Sequence, residues 1–132
     1  MQREPRRLSL QQIYDRISHH LLAQGSVSED EAGSCRLRGL HGRRCSTGSL
    51  VDDAHYSTEL EQIGIGYYAL GGDGALPRAL QASGIDMREP AIRALLVDCQ
   101  DMHDGETPAN WPERLIDIAR RHSLPAWCAL PA

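Results

Sequence analysis

The chain has 132 residues, a formal net charge of -4, and neither lysine nor phenylalanine. Hydrophobic residues make up 41% and charged residues 24%, which predicts a folded protein and excludes a disordered one, while the negative charge disfavours a general affinity for nucleic acid. No apolar run reaches the roughly 18 residues of a membrane span and no signal peptide is recognisable, so we expect a soluble, cytoplasmic protein with no membrane partner.

The first predicted element is a helix from Ser9 to Gln24. Ser9 and Gln12 have the spacing of a capping box, and Gly25 supplies the left-handed residue that commonly ends a helix. The apolar stripe at helical spacing is Leu10, Ile13, Ile17 and Leu21. The polar residues 26–33 that follow are predicted to form a loop.

The stretch from Ser34 to Thr47 predicts a β-hairpin, with Gly39 and Gly42 bracketing its turn. A three-residue loop would make Cys35 face Cys45 and would place both thiols on one face. A two-residue loop would shift the pairing by one residue and put the thiols on opposite faces. The sequence leaves both registers open.

Helical segments follow the hairpin. Short turns are predicted after Asp52 or Ser57, and the five glycines of residues 64–76 predict no regular element there. Three helices are then predicted, at residues 77–83, 88–103 and 110–124. Gly84 lies just beyond the first of them, and Asn110 is the predicted cap of the last.

These elements predict an α+β fold that is mainly helical, with three or more core helices and one small antiparallel β-hairpin. A hairpin of this size is marginal alone, so it must pack on the helices. The length indicates a single domain over residues 1–132, with an ordered core over about residues 8–124 and flexible tails.

Four short motifs give the chain a resemblance to a known family. The first helix ends in the pattern HLL.Q, and the middle motif has two cysteines around an Arg-Gly turn followed by G.L..D..Y. The matching positions are His20, Leu21, Leu22, Gln24, Cys35, Arg38, Gly39, Gly42, Cys45, Gly48, Leu50, Asp53 and Tyr56. The later motifs are CQDMHD, Cys99 to Asp104, and a final helix that opens on Trp111.

With these motifs the chain resembles a family of short, uncharacterised proteins encoded by bacteria and phages. The resemblance covers roughly residues 10–124 and implies a bacterial or phage origin, in keeping with the exclusive use of arginine as the basic residue. It implies no activity. The chain departs from the family pattern at Cys99, where leucine is usual, at Val51 and Asp52, where proline is frequent, and in both tails.

A metal site is one interpretation of the cysteines. Cys99 and His103 lie four residues apart on one helix face and, with Cys35 and Cys45, could complete a Cys3His site for structural zinc. Nine residues separate Cys35 from Cys45, whereas paired zinc ligands usually have about two to four residues between them. The alternative, buried free cysteines, is the commoner arrangement, and no cofactor is expected.

The arginines of the hairpin are the second candidate site. Arg36, Arg38 and Arg44 would share one face in the three-residue register and present guanidinium groups to an anion. We take the segment from Cys35 to Tyr56 as the predicted interaction surface. The candidate binding residues are Arg36, Arg38, Arg44, Asp53, Tyr56 and His103.

A catalytic interpretation has less support. His103 with Asp101 or Asp104 could act as a general acid and base, but no nucleophile is tied to them by sequence. GIGYYA, Gly64 to Ala69, matches a dinucleotide fingerprint by letters and lacks the preceding strand that this motif requires.

The sequence thus predicts a small, non-enzymatic module that binds another macromolecule. A protein is the expected partner, and a nucleic acid or a phosphate ligand is the alternative. A different class of function is a structural zinc protein, or a small enzyme that uses His103 and Asp101.

Overall fold

The computed structural model describes residues 7–62 and 74–126, and this part of the chain is built from helices. The four α-helices are α1 (Leu10–Gln24), α2 (Ala75–Ala82), α3 (Pro90–Gly105) and α4 (Trp111–Arg121). Short 3-10 segments connect them: Leu40–Gly42, Gly48–Leu50, Asp53–His55, Thr58–Gln62 and Pro108–Asn110.

Local sequence signals account for α1. The Ser9 side chain accepts a hydrogen bond from the Gln12 amide at 3.1 Å, and the Gln12 side chain accepts one from the Ser9 amide at 2.8 Å. Gly25 ends the helix in the left-handed region, at φ 65°. The predicted capping box and glycine cap are therefore confirmed.

The other predicted helices are also present, with shifted ends. The helix α3 starts at Pro90, whose missing N–H costs nothing in a first helical turn, and it continues to Gly105. Asn110 occupies the predicted N-cap position of α4, but its side chain makes no capping bond. It donates instead to the Glu106 carboxylate at 2.9 Å.

The core lies among α1, α3 and α4, which pack against one another. The Tyr14 hydroxyl is buried in this core and donates to the Leu115 carbonyl on α4 at 2.7 Å. The largest fully buried side chains include Ile13, Ile17, Leu21, Leu95, Leu96, Trp111 and Leu115. Burial of each such side chain contributes about 1.5 to 3 kcal/mol, so this three-helix contact is the main source of stability.

The predicted hairpin is absent, and the α+β class is wrong for residues 7–62 and 74–126, which contain no β-strand. Two isolated antiparallel bridges remain, Glu29 with Cys35 and Arg38 with Arg44. The second bridge encloses five residues, so neither predicted register is formed.

Side chains from elsewhere take the place of the strand ladder. The amides of Leu37 and Arg38 donate to the two carboxylate oxygens of Glu61, at 2.7 and 3.1 Å. The Arg44 amide donates to the Gln24 side chain at 2.8 Å. Because these backbone amides already have side-chain acceptors, they are not available for the cross-strand hydrogen bonds of a hairpin.

Two glycines in this loop are required by close backbone approach. A Cβ on Gly48 would collide with the Leu37 carbonyl oxygen, and a Cβ on Gly39 would meet the Glu29 backbone nitrogen at 2.6 Å. The loop from Cys35 to Leu50 is therefore packed against itself, which a simple turn would not require.

None of the helices in the described ranges is long and apolar enough to cross a membrane. The segment Gly64 to Ala69, the predicted tails before residue 7 and after residue 126, and Cys128 lie outside the described residues.

Candidate functional site

Three side chains with metal-binding or catalytic chemistry meet at one point. Cys35 lies in the loop after α1, while His103 and Asp104 lie in the last turn of α3. Cys35 Sγ is 3.9 Å from His103 Nδ1, which is 2.8 Å from Asp104 Oδ1. The three ligand atoms all lie within 4.8 Å of one another.

Gln100 holds this group in place from one turn earlier on α3. Its Nε2 donates to Asp104 Oδ1 at 2.9 Å and to Cys35 Sγ at 3.4 Å. Its Oε1 accepts the Thr47 amide at 3.0 Å, and the residue is only 6% exposed. We call Cys35, Gln100, His103 and Asp104 the Cys35 cluster.

The His103 ring is fixed on both its face and its edge. It is buried, and it stacks on the Trp111 ring with centroids 5.6 Å apart. Its Nε2 accepts the Ser28 backbone N–H at 2.9 Å. Because a backbone amide can only donate, Nε2 is unprotonated in this geometry and Nδ1 carries the proton that binds Asp104.

The environment opposes a reactive thiol. The hydrogen bond with Cys45 raises the pKa of Cys35 well above its usual range. Burial lowers the pKa of His103, but the contacts with Asp104 and Cys35 outweigh it and the net shift is upward. The Ser28 N–H opposes this upward shift of the His103 pKa, because a protonated Nε2 could not accept the hydrogen bond. Cys35 therefore stays a thiol at neutral pH, and a thiol is a poor nucleophile.

The predicted binding residues around Asp53 do come together. Arg38 Nη2 lies 2.7 Å and Arg44 Nη2 lies 3.0 Å from Asp53 Oδ1. The Arg38 guanidinium also lies 4.2 Å from the centre of the Tyr56 ring. These groups are thus paired with one another.

Glu61 completes this group, although the sequence did not predict it as a site residue. Arg36 Nε lies 3.5 Å from Glu61 Oε2, and the Tyr56 hydroxyl donates to the same oxygen at 2.6 Å. The Glu61 side chain is 8% exposed. We call the whole set the arginine cluster: Arg36, Arg38, Arg44, Asp53, Tyr56 and Glu61. The sixth predicted binding residue, His103, belongs to the Cys35 cluster.

A groove of about 660 Å³ lies between the second half of α1 and the turn at residues 41–44. We call it the basic groove. Its lining residues are Arg16, His19, His20, Ala23, Gln24, His41, Gly42, Arg43, Arg44 and Ser49. Three arginines and three histidines therefore line it, and none of the described lining residues is a carboxylate.

The walls of the basic groove are tied together. Gln24 both donates to the Arg44 carbonyl at 2.9 Å and accepts its amide at 2.8 Å, and His20 Nε2 lies 3.0 Å from the same carbonyl. His41 at the tip of the turn has φ 60°, a left-handed conformation that is uncommon outside glycine. The groove is preformed.

The arginines of the groove differ in how far they are paired. Arg16 lies 3.7 Å from Asp52, and Arg44 shares Asp53, whose side chain is 78% exposed. Within the part of the chain that is described, no ion pair or hydrogen bond engages the Arg43 guanidinium. Of the groove residues, the sequence predicted only Arg44 as a binding residue. The spacing of Arg16, His19 and His20 nevertheless places them on one face of α1.

The remaining predicted residues are not part of a common site. Asp101 is exposed, and the partner of His103 is Asp104. Cys99 lies fully buried in the core, where burial raises its pKa to about 12, and it is not in the ligand group of the described residues. Cys45 is buried beside Cys35 and accepts the Gly48 amide at 3.3 Å.

A scan against protein-family models, a search of curated proteins and a search of solved structures each gave no match to this chain. The family resemblance described above stays a prediction. The evidence for function therefore comes from the arginine cluster, the Cys35 cluster and the basic groove.

Proposed function

We propose that this protein is a non-enzymatic interaction module that binds an acidic segment of a partner protein in the basic groove. The observation that carries the proposal is the lining of the groove, whose described residues include three arginines, three histidines and no carboxylate in a chain of net charge -4. Guanidinium groups bind carboxylates through paired hydrogen bonds, which suits an aspartate- or glutamate-rich segment.

The groove favours carboxylates over nucleic acid. Among the described residues that line it there is no tryptophan or tyrosine, so these residues offer no platform on which bases would stack. Asp52 and Asp53 already approach Arg16 and Arg44 with carboxylate oxygens at its edge. Exposed pairs of this kind contribute only about 0 to 1 kcal/mol, so carboxylates of a partner could replace them.

The Cys35 cluster gives less support to an enzyme. A thiol with a raised pKa is not an activated nucleophile, and the free lone pair of His103 is taken by the Ser28 amide. Of the two acid and base pairs suggested by sequence, His103 with Asp104 is formed at 2.8 Å, whereas Asp101 is exposed and is not the partner of His103.

The test uses a fluorescent oligo-glutamate peptide as the probe and anisotropy as the readout. We expect binding at low salt that weakens steeply as salt is added, because the contacts are ionic. Arg43→Ala should weaken binding severalfold. Arg120→Ala is the matched control, since Arg120 is an exposed arginine on α4 outside the groove.

Absence of binding at low salt, or equal effects of the two variants, would contradict the proposal. A single-stranded oligonucleotide of the same length is measured in parallel. If it binds more tightly than the peptide and Arg43→Ala abolishes that binding, the groove is a nucleic-acid site and the proposed partner class is wrong.

A further inference from the structure

The Cys35 cluster has the composition of a transition-metal site. A thiolate, an imidazole and a carboxylate are all ligands that Zn²⁺ accepts, and here they come from two segments 68 residues apart in sequence. We propose that Cys35 Sγ, His103 Nδ1 and an Asp104 carboxylate oxygen bind one Zn²⁺ ion. This site is separate from the basic groove and does not depend on the proposed function.

The distances are close to what zinc requires. With ordinary bond lengths and tetrahedral angles, the ligand atoms of a zinc site lie about 3.4 to 3.6 Å apart. The observed separations are 3.9 Å between sulfur and Nδ1 and 2.8 Å between Nδ1 and Oδ1. The third pair, the sulfur and the carboxylate oxygen, lies within 4.8 Å, so side-chain shifts of up to about 1 Å would bring all three atoms to one ion.

Gln100 and Trp111 resemble the support that metal ligands receive, whereas the Ser28 N–H is a donor and does not. Gln100 is buried and orients both anionic ligands through one amide nitrogen, while its oxygen is anchored to the Thr47 backbone. Trp111 holds the plane of the His103 ring. Such contacts fix the ligand positions before the ion arrives, which raises metal affinity.

The site is also accessible and incomplete. Cys35 is exposed and the Asp104 side chain is 44% exposed, so an ion can enter from solvent. Three protein ligands leave a fourth tetrahedral position for water or for a group of a partner. This differs from the Cys3His site that the sequence suggested, because Asp104 belongs to the ligand group while Cys45 and the buried Cys99 do not.

Metal binding has a consequence for Ser28. Binding of the ion would release the Cys35 thiol proton and the Nδ1 proton of His103 to solvent, and Nε2 would take up one proton from solvent, so the neutral ring would keep one proton, now on Nε2, and its Nδ1 lone pair would be free for the ion. That proton points at the Ser28 N–H, which is also a donor. The Ser28 hydrogen bond must therefore break when the ion binds.

The first experiment titrates metal-free protein with Co²⁺, followed by displacement with Zn²⁺. We expect saturation at one equivalent, a thiolate-to-cobalt charge-transfer band, and loss of that band in Cys35→Ser. Asp104→Asn should weaken Zn²⁺ affinity by roughly tenfold or more. Asp101→Asn, an exposed carboxylate on the same helix, is the matched control and should leave the affinity unchanged.

The second readout is the Ser28 amide in a nitrogen-proton correlation spectrum. We expect its resonance to shift on Zn²⁺ addition and its hydrogen exchange to become faster. The proposal is overturned if no equivalent binds, if Cys35→Ser retains the charge-transfer band, or if Asp101→Asn weakens affinity as much as Asp104→Asn. Arg43→Ala should leave Zn²⁺ affinity unchanged, so failure of the groove would not imply failure of the metal site.

Discussion

The arginine cluster and the Cys35 cluster both anchor the loop between Cys35 and Cys45, yet they differ in what they leave available. In the arginine cluster, Asp53 pairs with both Arg38 and Arg44, and Glu61 pairs with Arg36. In the Cys35 cluster, the thiol and the carboxylate contact Gln100 and the His103 ring, and within the described residues no arginine pairs with them. A cluster of reactive side chains is thus a candidate ligand site only where its charges and lone pairs are not already taken up by one another.

The largest expected effect comes from breaking the loop that both clusters share. Gly48→Ala places a methyl group against the Leu37 carbonyl, and we expect it to lower the free energy of unfolding by about 2 to 4 kcal/mol. Urea denaturation measures this. Gly105→Ala is the control, since nothing lies within 4 Å of its added Cβ; comparable losses in both would contradict the packing described here.

The arginine cluster alone is broken by Glu61→Ala. This change leaves the amides of Leu37 and Arg38 and the Tyr56 hydroxyl without their acceptor, so we expect a loss of about 2 to 3 kcal/mol in the free energy of unfolding. Glu59→Ala, an exposed neighbour, should change it by less than about 0.5 kcal/mol. If Glu61→Ala also abolished Zn²⁺ binding in folded protein, the two clusters would not be separable.

The contribution of Tyr56 should depend on pH. Burial and the hydrogen bond to Glu61 raise the pKa of Tyr56, so the folded state holds this proton more tightly than the unfolded state. The resulting stability is present below the ordinary tyrosine pKa and is lost as pH rises through the raised value. Tyr56→Phe should cost about 1 kcal/mol near neutral pH, from the lost hydrogen bond.

The measurement for Tyr56 is thermal unfolding of both proteins across the alkaline range. The difference between wild type and Tyr56→Phe should shrink at high pH. A difference that stays constant or grows with pH would show that the hydroxyl proton plays no part in stability.

The smallest expected effect on the metal-free protein comes from the Cys35 cluster. Cys35→Ser changes an exposed side chain, so the free energy of unfolding should move by less than about 0.5 kcal/mol. With Zn²⁺ at a hundred times its dissociation constant, wild type should gain about 2.7 kcal/mol and Cys35→Ser should gain nothing. Equal stabilisation of both by Zn²⁺ would place the ion elsewhere.

Much of the helical structure was predictable because its signals are local. Ser9, Gln12 and Gly25 define α1 through contacts within one turn, and apolar spacing marks α3 and α4. The hairpin prediction was wrong because the contacts that decide this region are long-range. Glu61 and Gln24 satisfy its backbone donors from 20 to 24 residues away, and no local pattern shows such contacts.

The sites divide in the same way. The sequence by itself grouped Arg36, Arg38 and Arg44, and it placed His103 next to the carboxylate that proves to be its partner. Only the tertiary structure decided that these arginines are paired, while no described residue pairs with the Arg43 guanidinium. It also decided that Cys35 lies beside His103 and that Cys99 is buried in the core. Helices form from neighbours in sequence, whereas charge pairing and ligand geometry depend on segments that meet only after the chain has folded.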